Sequence, residues 1–183
     1  FRHLLLIALI SLVACCTIMA FVWLWARRIK NAGVVDVFWA LNFPVITVIT
    51  FFLSDGFEAR KILICAIFLL AELRLGIHLW NRVIGHLDEE EGRYQQLRKD
   101  WGKDADRNFF WFFQFQAISN VILAIPFFII TANQSAEIAT LEYAGLVIWL
   151  VAFIGEMLAD RQLAAFKKDP ANKGKVCDNG LWY

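Results

Sequence analysis

"LLLIALISLVACCTIMAFVWLWA", Leu4 to Ala26, runs for 23 residues without a charged side chain and is followed at once by Arg27, Arg28 and Lys30. A bilayer core takes about 20 helical residues to cross. In lipid every backbone N–H must find its partner within the segment, so a run of this kind is a helix. A cleaved signal peptide would have a shorter core and its basic flank ahead of it. Here the flank follows, and the run reads as a permanent span. Four more apolar runs of similar length lie beyond it: Ala32 to Leu53, Ile62 to Trp80, Phe109 to Ala132 and Ile138 to Ala159. The charged segments between them are too short to fold alone, with Arg82 to Asn108 as the one exception. A content of 60% hydrophobic and 15% aromatic residues, with a mean hydropathy of +0.56, agrees, because soluble domains carry a smaller apolar share. The expectation is an all-α, polytopic transmembrane helix bundle of five spans. Residues 1–183 form one domain in it, and the lipid bilayer is its main partner.

Basic residues set the expected orientation. Three follow the first span, six lie between Arg82 and Arg107, and Arg161, Lys167, Lys168, Lys173 and Lys175 follow the fifth, which makes fourteen on one side. The other side has Arg2, Arg60 and Lys61, and Arg74 lies within a span. The positive-inside rule then places the N-terminus outside and the basic loops in the cytoplasm. A formal net charge of +1 gives no reason to expect a nucleic-acid partner. Cys15, Cys16, Cys65 and Cys177 show neither CxxC spacing nor a pairing framework, so no metal site and no disulfide scaffold is expected.

Ionisable groups inside a membrane cost about 2.5 kcal/mol or more each, so they mark partners, cavities or function. Arg74, His78 and Arg82 lie four apart on one face of the third span, with Glu72 and Asn81 beside them. Gln116 and Asn120 share a face of the fourth span; Glu156, Asp160 and, further on, Lys167 share one of the fifth. Asp36 opens the second span, with Trp39 one turn on. By the expected topology all these groups sit at the cytoplasmic end, as a pocket open to the cytosol would require. Pro44 and Pro126 lie deeper, where they could bend their helices around it. The run Asp88 to Glu91 reads as a solvated face. Arg93 and Arg98, beside Tyr94, have the spacing to grip a phosphate-bearing ligand. No Walker or GxGxxG loop is present.

The stretch "GEMLADRQLAAFKKDPANKGKVCDNGLW", Gly155 to Trp182, resembles the signature region of the steroid 5-alpha-reductase-like membrane proteins, in their bacterial branch, DUF1295. The segments "VDVFWALNF", "RLGIHLWNRVIGHLDEEEGRYQQLRKDWG" and "FFWFFQFQAISNVILAIPFF" resemble the same branch, so the likeness runs through most of the chain from Gly33 onward. It implies a membrane reductase that takes NADPH from the cytosol and saturates a carbon–carbon double bond conjugated to a carbonyl. By the same resemblance Asn81, Arg82, Asn120, Glu156, Asp160 and Lys167 fall at cofactor-binding positions. The family's next motif would begin at Tyr183, so further C-terminal helices are expected beyond this sequence.

Steroid reductases protonate and hold the ketone with a Glu and a Tyr. The nearest candidates here are Asp36 and His78, expected to face one pocket as the catalytic pair, with Trp39, Arg74 and Gln116 lining the substrate side. Together these readings describe a bacterial inner-membrane reductase with a lipophilic, steroid- or isoprenoid-like enone as substrate. Isoprenylcysteine-type methyltransferases, which use S-adenosylmethionine, share the architecture and are the second expectation. A transporter or structural bundle is the third.

Overall fold

The computed structural model describes residues 2–183, and among them it contains helices and no strand. The elements are α1 (Arg2–Ile29), α2 (Val34–Leu53), α3 (Glu58–Ile84), α4 (Gly92–Trp101), α5 (Ala105–Leu123), α6 (Ile125–Thr131) and α7 (Thr140–Lys168). Every expected span is helical, the fourth being divided between α5 and α6, and among the described residues five helical stretches are long and apolar enough to cross a membrane. The chain forms two compact units, one up to Ala136 and one from Glu137 to Tyr183.

In the first unit α2 is the central helix and packs against α1, α3 and α5. Its buried residues surround it, from Val34, Val35 and Val37 through Phe43 and Ile46 to Thr50. By contrast α1 buries one stripe, Ile7, Ser11, Cys15, Met19, Val22 and Ala26, at helical spacing. Its other face leaves Leu5, Leu9, Val13 and Phe21 more than half exposed. An apolar outer face of this extent is what lipid accommodates and water does not. The chain is therefore a membrane protein.

Pro44 and Pro126 act differently. Pro44 lies inside an unbroken α2. Pro126 is the second residue of α6, and the break between α5 and α6 falls at Ala124, just ahead of it. Proline lacks an N–H and disfavours helical backbone at the preceding residue, which accounts for a break at this point.

One end of the unit is closed by backbone bonds. Ser54 Oγ donates to Thr131 O at 2.7 Å and Phe57 N to Asn133 O at 2.9 Å. Arg60 is only 2% exposed and its Nη1 donates to the carbonyls of Ser135 and Asn133 at 2.6 and 3.2 Å. Toward the C-terminal end of α3 a Cβ on Gly76 would come 2.7 Å from Leu41 Cδ2 of α2, so this glycine permits their close approach.

In the second unit α7 buries none of its own residues. The tail then doubles back along it: Trp182 Nε1 donates to Ala159 O and Leu181 N to Gln162 Oε1, both at 2.8 Å. Cys15, Cys16, Cys65 and Cys177 are free thiols.

Candidate functional site

At the end of the first unit where α2 begins, the α1–α2 turn is fastened to the loop after α3. Asn31, 2% exposed, accepts from Gly33 N at 2.9 Å and donates its Nδ2 to Leu87 O at 3.0 Å. Glu90 accepts from Ala32 N at 2.8 Å and from both Nε and Nη2 of Arg98, at 3.0 and 2.8 Å. The acidic run is thus not one solvated face. Asp88 and Glu89 are exposed, but the Glu90 side chain is 8% exposed. A buried carboxylate needs donors, and an arginine fork with a backbone N–H supplies three. The paired Glu90 raises the pKa of Arg98, its hydrogen bond being the largest cause.

One turn along, Asp36 of α2 meets α4. Its Oδ2 pairs with Arg93 Nη2, and its Oδ1 accepts from the Tyr94 hydroxyl at 2.7 Å. Arg93 also donates to the Tyr94 oxygen at 2.7 Å, with its guanidinium 4.6 Å from the ring centroid. Arg82, at the end of α3, pairs with Glu91, whose other oxygen is 3.9 Å from Arg93 Nε. One chain of charge therefore runs Arg82, Glu91, Arg93, Asp36, Tyr94. The Tyr94 ring is buried beside Phe109 and Phe112. Burial first, and the Asp36 carboxylate second, push its hydroxyl above the ordinary tyrosine range, so it is a neutral donor at physiological pH.

Further into α2 the polar line continues at Trp39 and Asn42. Trp39 Nε1 donates to Ser119 Oγ at 3.0 Å, and Ser119 donates to Gln116 O at 2.8 Å. Asn42 Nδ2 donates to Asn120 Oδ1, and Asn120 Nδ2 to Trp39 O, both at 2.9 Å. Asn42 and Asn120 are fully buried. Asn120, expected at a cofactor position, thus has its amide engaged on both sides in joining α5 to α2.

The structure brings Asp36, Arg82 and Arg93 into one network and sets Arg98 beside it on Glu90. It does not bring His78 to Asp36, whose partners are Arg93 and Tyr94. Gly76 faces α2, and at 100° per residue Arg74 and His78, two positions either side, point about 200° away from it. His78 and Asn81 are exposed on α3 and Arg74 is half-buried. Glu156 is exposed and Asp160 half-buried on α7. Lys167 lines a cavity in the second unit.

Tyr94, Glu90, Glu91 and Asn42 were not among the sequence-derived candidates. Tyr94 had a readable signal, since Tyr94, Leu97 and Trp101 recur at i, i+3 and i+7 as the apolar stripe of an otherwise polar helix. The glutamates had none, because their partners lie on other elements.

No curated protein and no solved structure matches the chain. The model of a family described as DUF1295, a protein of unknown function, matches residues 22–183, which takes in α2 to α7 and the whole charged network. On that match the chain belongs to the DUF1295 family.

Proposed function

We propose that this membrane protein is an NADPH-dependent reductase that saturates a carbon–carbon double bond conjugated to a carbonyl in a lipophilic substrate. The observation that carries the reading is the fixed row of guanidinium groups at the start of α2. Arg82 and Arg93 are held by Glu91 and Asp36, yet their side chains remain 53% and 59% exposed. Each guanidinium has five N–H donors, and only some meet these carboxylates. The rest face outward from a preorganised site, an arrangement suited to a pyrophosphate. The steroid 5-alpha-reductase-like resemblance supports the same cofactor.

When bound, NADPH supplies a hydride to the carbon β to the carbonyl. The chain's own part is to hold the phosphates through Arg82 and Arg93 and to deliver a proton to the substrate. Asp36 already accepts on both oxygens, from Arg93 and Tyr94, so its part is to position Arg93. His78 is the proton donor in this reading. An imidazole N–H placed at the substrate oxygen can donate to it as the enolate forms.

Titration of the full-length protein with NADPH and with S-adenosylmethionine, by calorimetry at low and high salt, tests the cofactor. Arg82→Ala or Arg93→Ala is expected to weaken NADPH binding about tenfold, the effect of one lost charged hydrogen bond. Salt is expected to weaken it in the wild type. Binding of S-adenosylmethionine alone would move the assignment to a methyltransferase, since a sulfonium has no use for arginines.

The orientation belongs to the same proposal: inner membrane, N-terminus outside, Arg82 to Arg107 in the cytosol. Single cysteines at Gln95 or Lys173 are expected to resist a membrane-impermeant thiol reagent in intact cells and to react after lysis. Labelling before lysis reverses the orientation.

A further inference from the structure

At the end of the first unit where α1 finishes, α1 and α5 stand side by side. Arg27 Nε meets Asp106 Oδ2 at 2.9 Å, Trp23 Nε1 donates to Asp106 O at 3.0 Å, and the rings of Trp23 and Phe110 lie 5.2 Å apart. Each helix carries a basic residue at this end and large apolar ones below it on the same outward face. On α1, Phe21 lies two turns from Arg28; on α5, Trp111 and Phe115 follow Arg107 at intervals of four. Phe21, Trp111 and Phe115 are all more than half exposed. We infer that this outer face binds an anionic phospholipid of the bilayer, its phosphate on Arg28, Lys30 and Lys103 and its acyl chains along Phe21, Trp111 and Phe115.

The cations here outnumber the carboxylates that hold them. Arg27 is paired with Asp106, and Arg107 with Asp104 at 3.2 Å. Arg28, Lys30 and Lys103 are exposed, and among the described residues none of them has a carboxylate partner. Glu89, whose carbonyl accepts from Asn31 at 3.4 Å, is the acidic neighbour of Lys30 and does not pair with it. Lys30 carries a second signal. Its φ is 56°, in the left-handed region, and Asn31 N reaches back to Ala26 O at 3.1 Å, the closing bond of a helix C-terminus at which glycine is the favoured residue. Glycine would close the helix with less strain. What lysine adds there is an ammonium group held at the membrane surface.

An anionic phospholipid presents its groups in the same order as this face. The apolar run of α1 ends at Ala26, so the backbone leaves the hydrocarbon beside Arg27 and Arg28, at the depth of the lipid phosphates. Basic residues at that depth attract anionic headgroups. A soluble anion would use the cations and leave the exposed aromatic rings unexplained. A second copy of the chain would, about a two-fold axis, bring the same cations against themselves. The lipid satisfies both halves of the face. The inference does not rest on the reductase reading, since Arg82 and Arg93 take no part in it.

The full-length protein is placed in nanodiscs of mixed phosphatidylcholine and phosphatidylglycerol, and the lipid it retains is identified by native mass spectrometry. The wild type is expected to retain phosphatidylglycerol in preference, and raised salt to weaken that preference. Lys30→Gly removes one charge and is expected to lower the preference about fivefold, the effect of one basic residue at a membrane surface. It should do so without lowering the unfolding temperature, because glycine suits the left-handed backbone. Arg28→Gln/Lys30→Gln/Lys103→Gln is expected to abolish the preference, and Arg28→Lys/Lys30→Arg/Lys103→Arg to keep it. An unchanged preference in the glutamine variant, at a helix content equal to the wild type, overturns the site. Inorganic phosphate is titrated by calorimetry in detergent. Phosphate binding that depends on these three residues, with no preference among lipids, makes the ligand a soluble anion and overturns the lipid assignment. A dimer mass that disappears in the glutamine variant, again with no lipid preference, gives the face to a second copy and overturns it too.

Discussion

Tyr94→Ala is expected to cost about 3–5 kcal/mol of stability, the usual loss for a large buried aromatic side chain. The ring is 1% exposed and is the point at which α4 is pinned to α5 and to Asp36. Tyr94→Phe keeps the ring and removes the hydroxyl, and is expected to cost less, about 1.5–3 kcal/mol, because the lost hydrogen bond is to a charged group. Both are read by thermal unfolding in detergent. Limited trypsin digestion gives a second measure, with cleavage after Arg93, Arg98 and Lys99 rising as α4 detaches. The hydroxyl also predicts a pH dependence. Its folded pKa is raised. Its stabilisation is therefore complete below the unfolded tyrosine value of about 10 and declines as pH rises past it toward the folded value. The Phe variant lacks that alkaline loss. Equal stability of wild type, Phe and Ala forms would remove Tyr94 from its anchoring role.

His78→Phe is expected to lower turnover on a working enone by about a hundredfold or more, the usual contribution of a positioned general acid. Stability and NADPH affinity should stay near the wild-type values, because His78 lies on the exposed face of α3, away from Gly76 and α2. Asp36→Asn should behave in the opposite way. It weakens the pairing to Arg93, loosens α4 and raises the NADPH dissociation constant together with any loss of rate. Stopped-flow measurement of NADPH oxidation, with the binding step titrated separately, distinguishes the two patterns. If the Phe variant turns over at the wild-type rate, the proton comes from elsewhere.

The spans were legible because bilayer thickness fixes a run length, and a run length can be counted along the chain. Bends were expected at Pro44 and Pro126 alike; the structure interrupts the helix just ahead of Pro126 and leaves α2 unbroken at Pro44. Depth could be read too: Asp36, Arg82 and Arg93 do share one end of the first unit. Azimuth was not. Knowing that Asp36 and His78 sit at similar depth says nothing of which way each points, and close packing at Gly76 fixes α3 so that His78 faces away from α2. Glu90 and Glu91 were read as solvated because their partners Ala32, Arg98, Arg82 and Arg93 are supplied by folding. Asn120 matched a cofactor position by resemblance, yet its hydrogen bonds close a helix junction with Asn42 and Trp39.

The turn between α1 and α2 depends on residues made much later. Ala32 N and the Asn31 side chain are satisfied by Glu90 and Leu87, which are 58 and 56 positions further along the chain. At a synthesis rate of about 5–20 residues per second, the first helical hairpin waits roughly 3–12 s for the segment that fastens its turn. Until then those polar groups must be hydrated at the membrane surface. The assembly of this bundle therefore has a set order, with the α1–α2 pair completed only when the loop after the third span arrives.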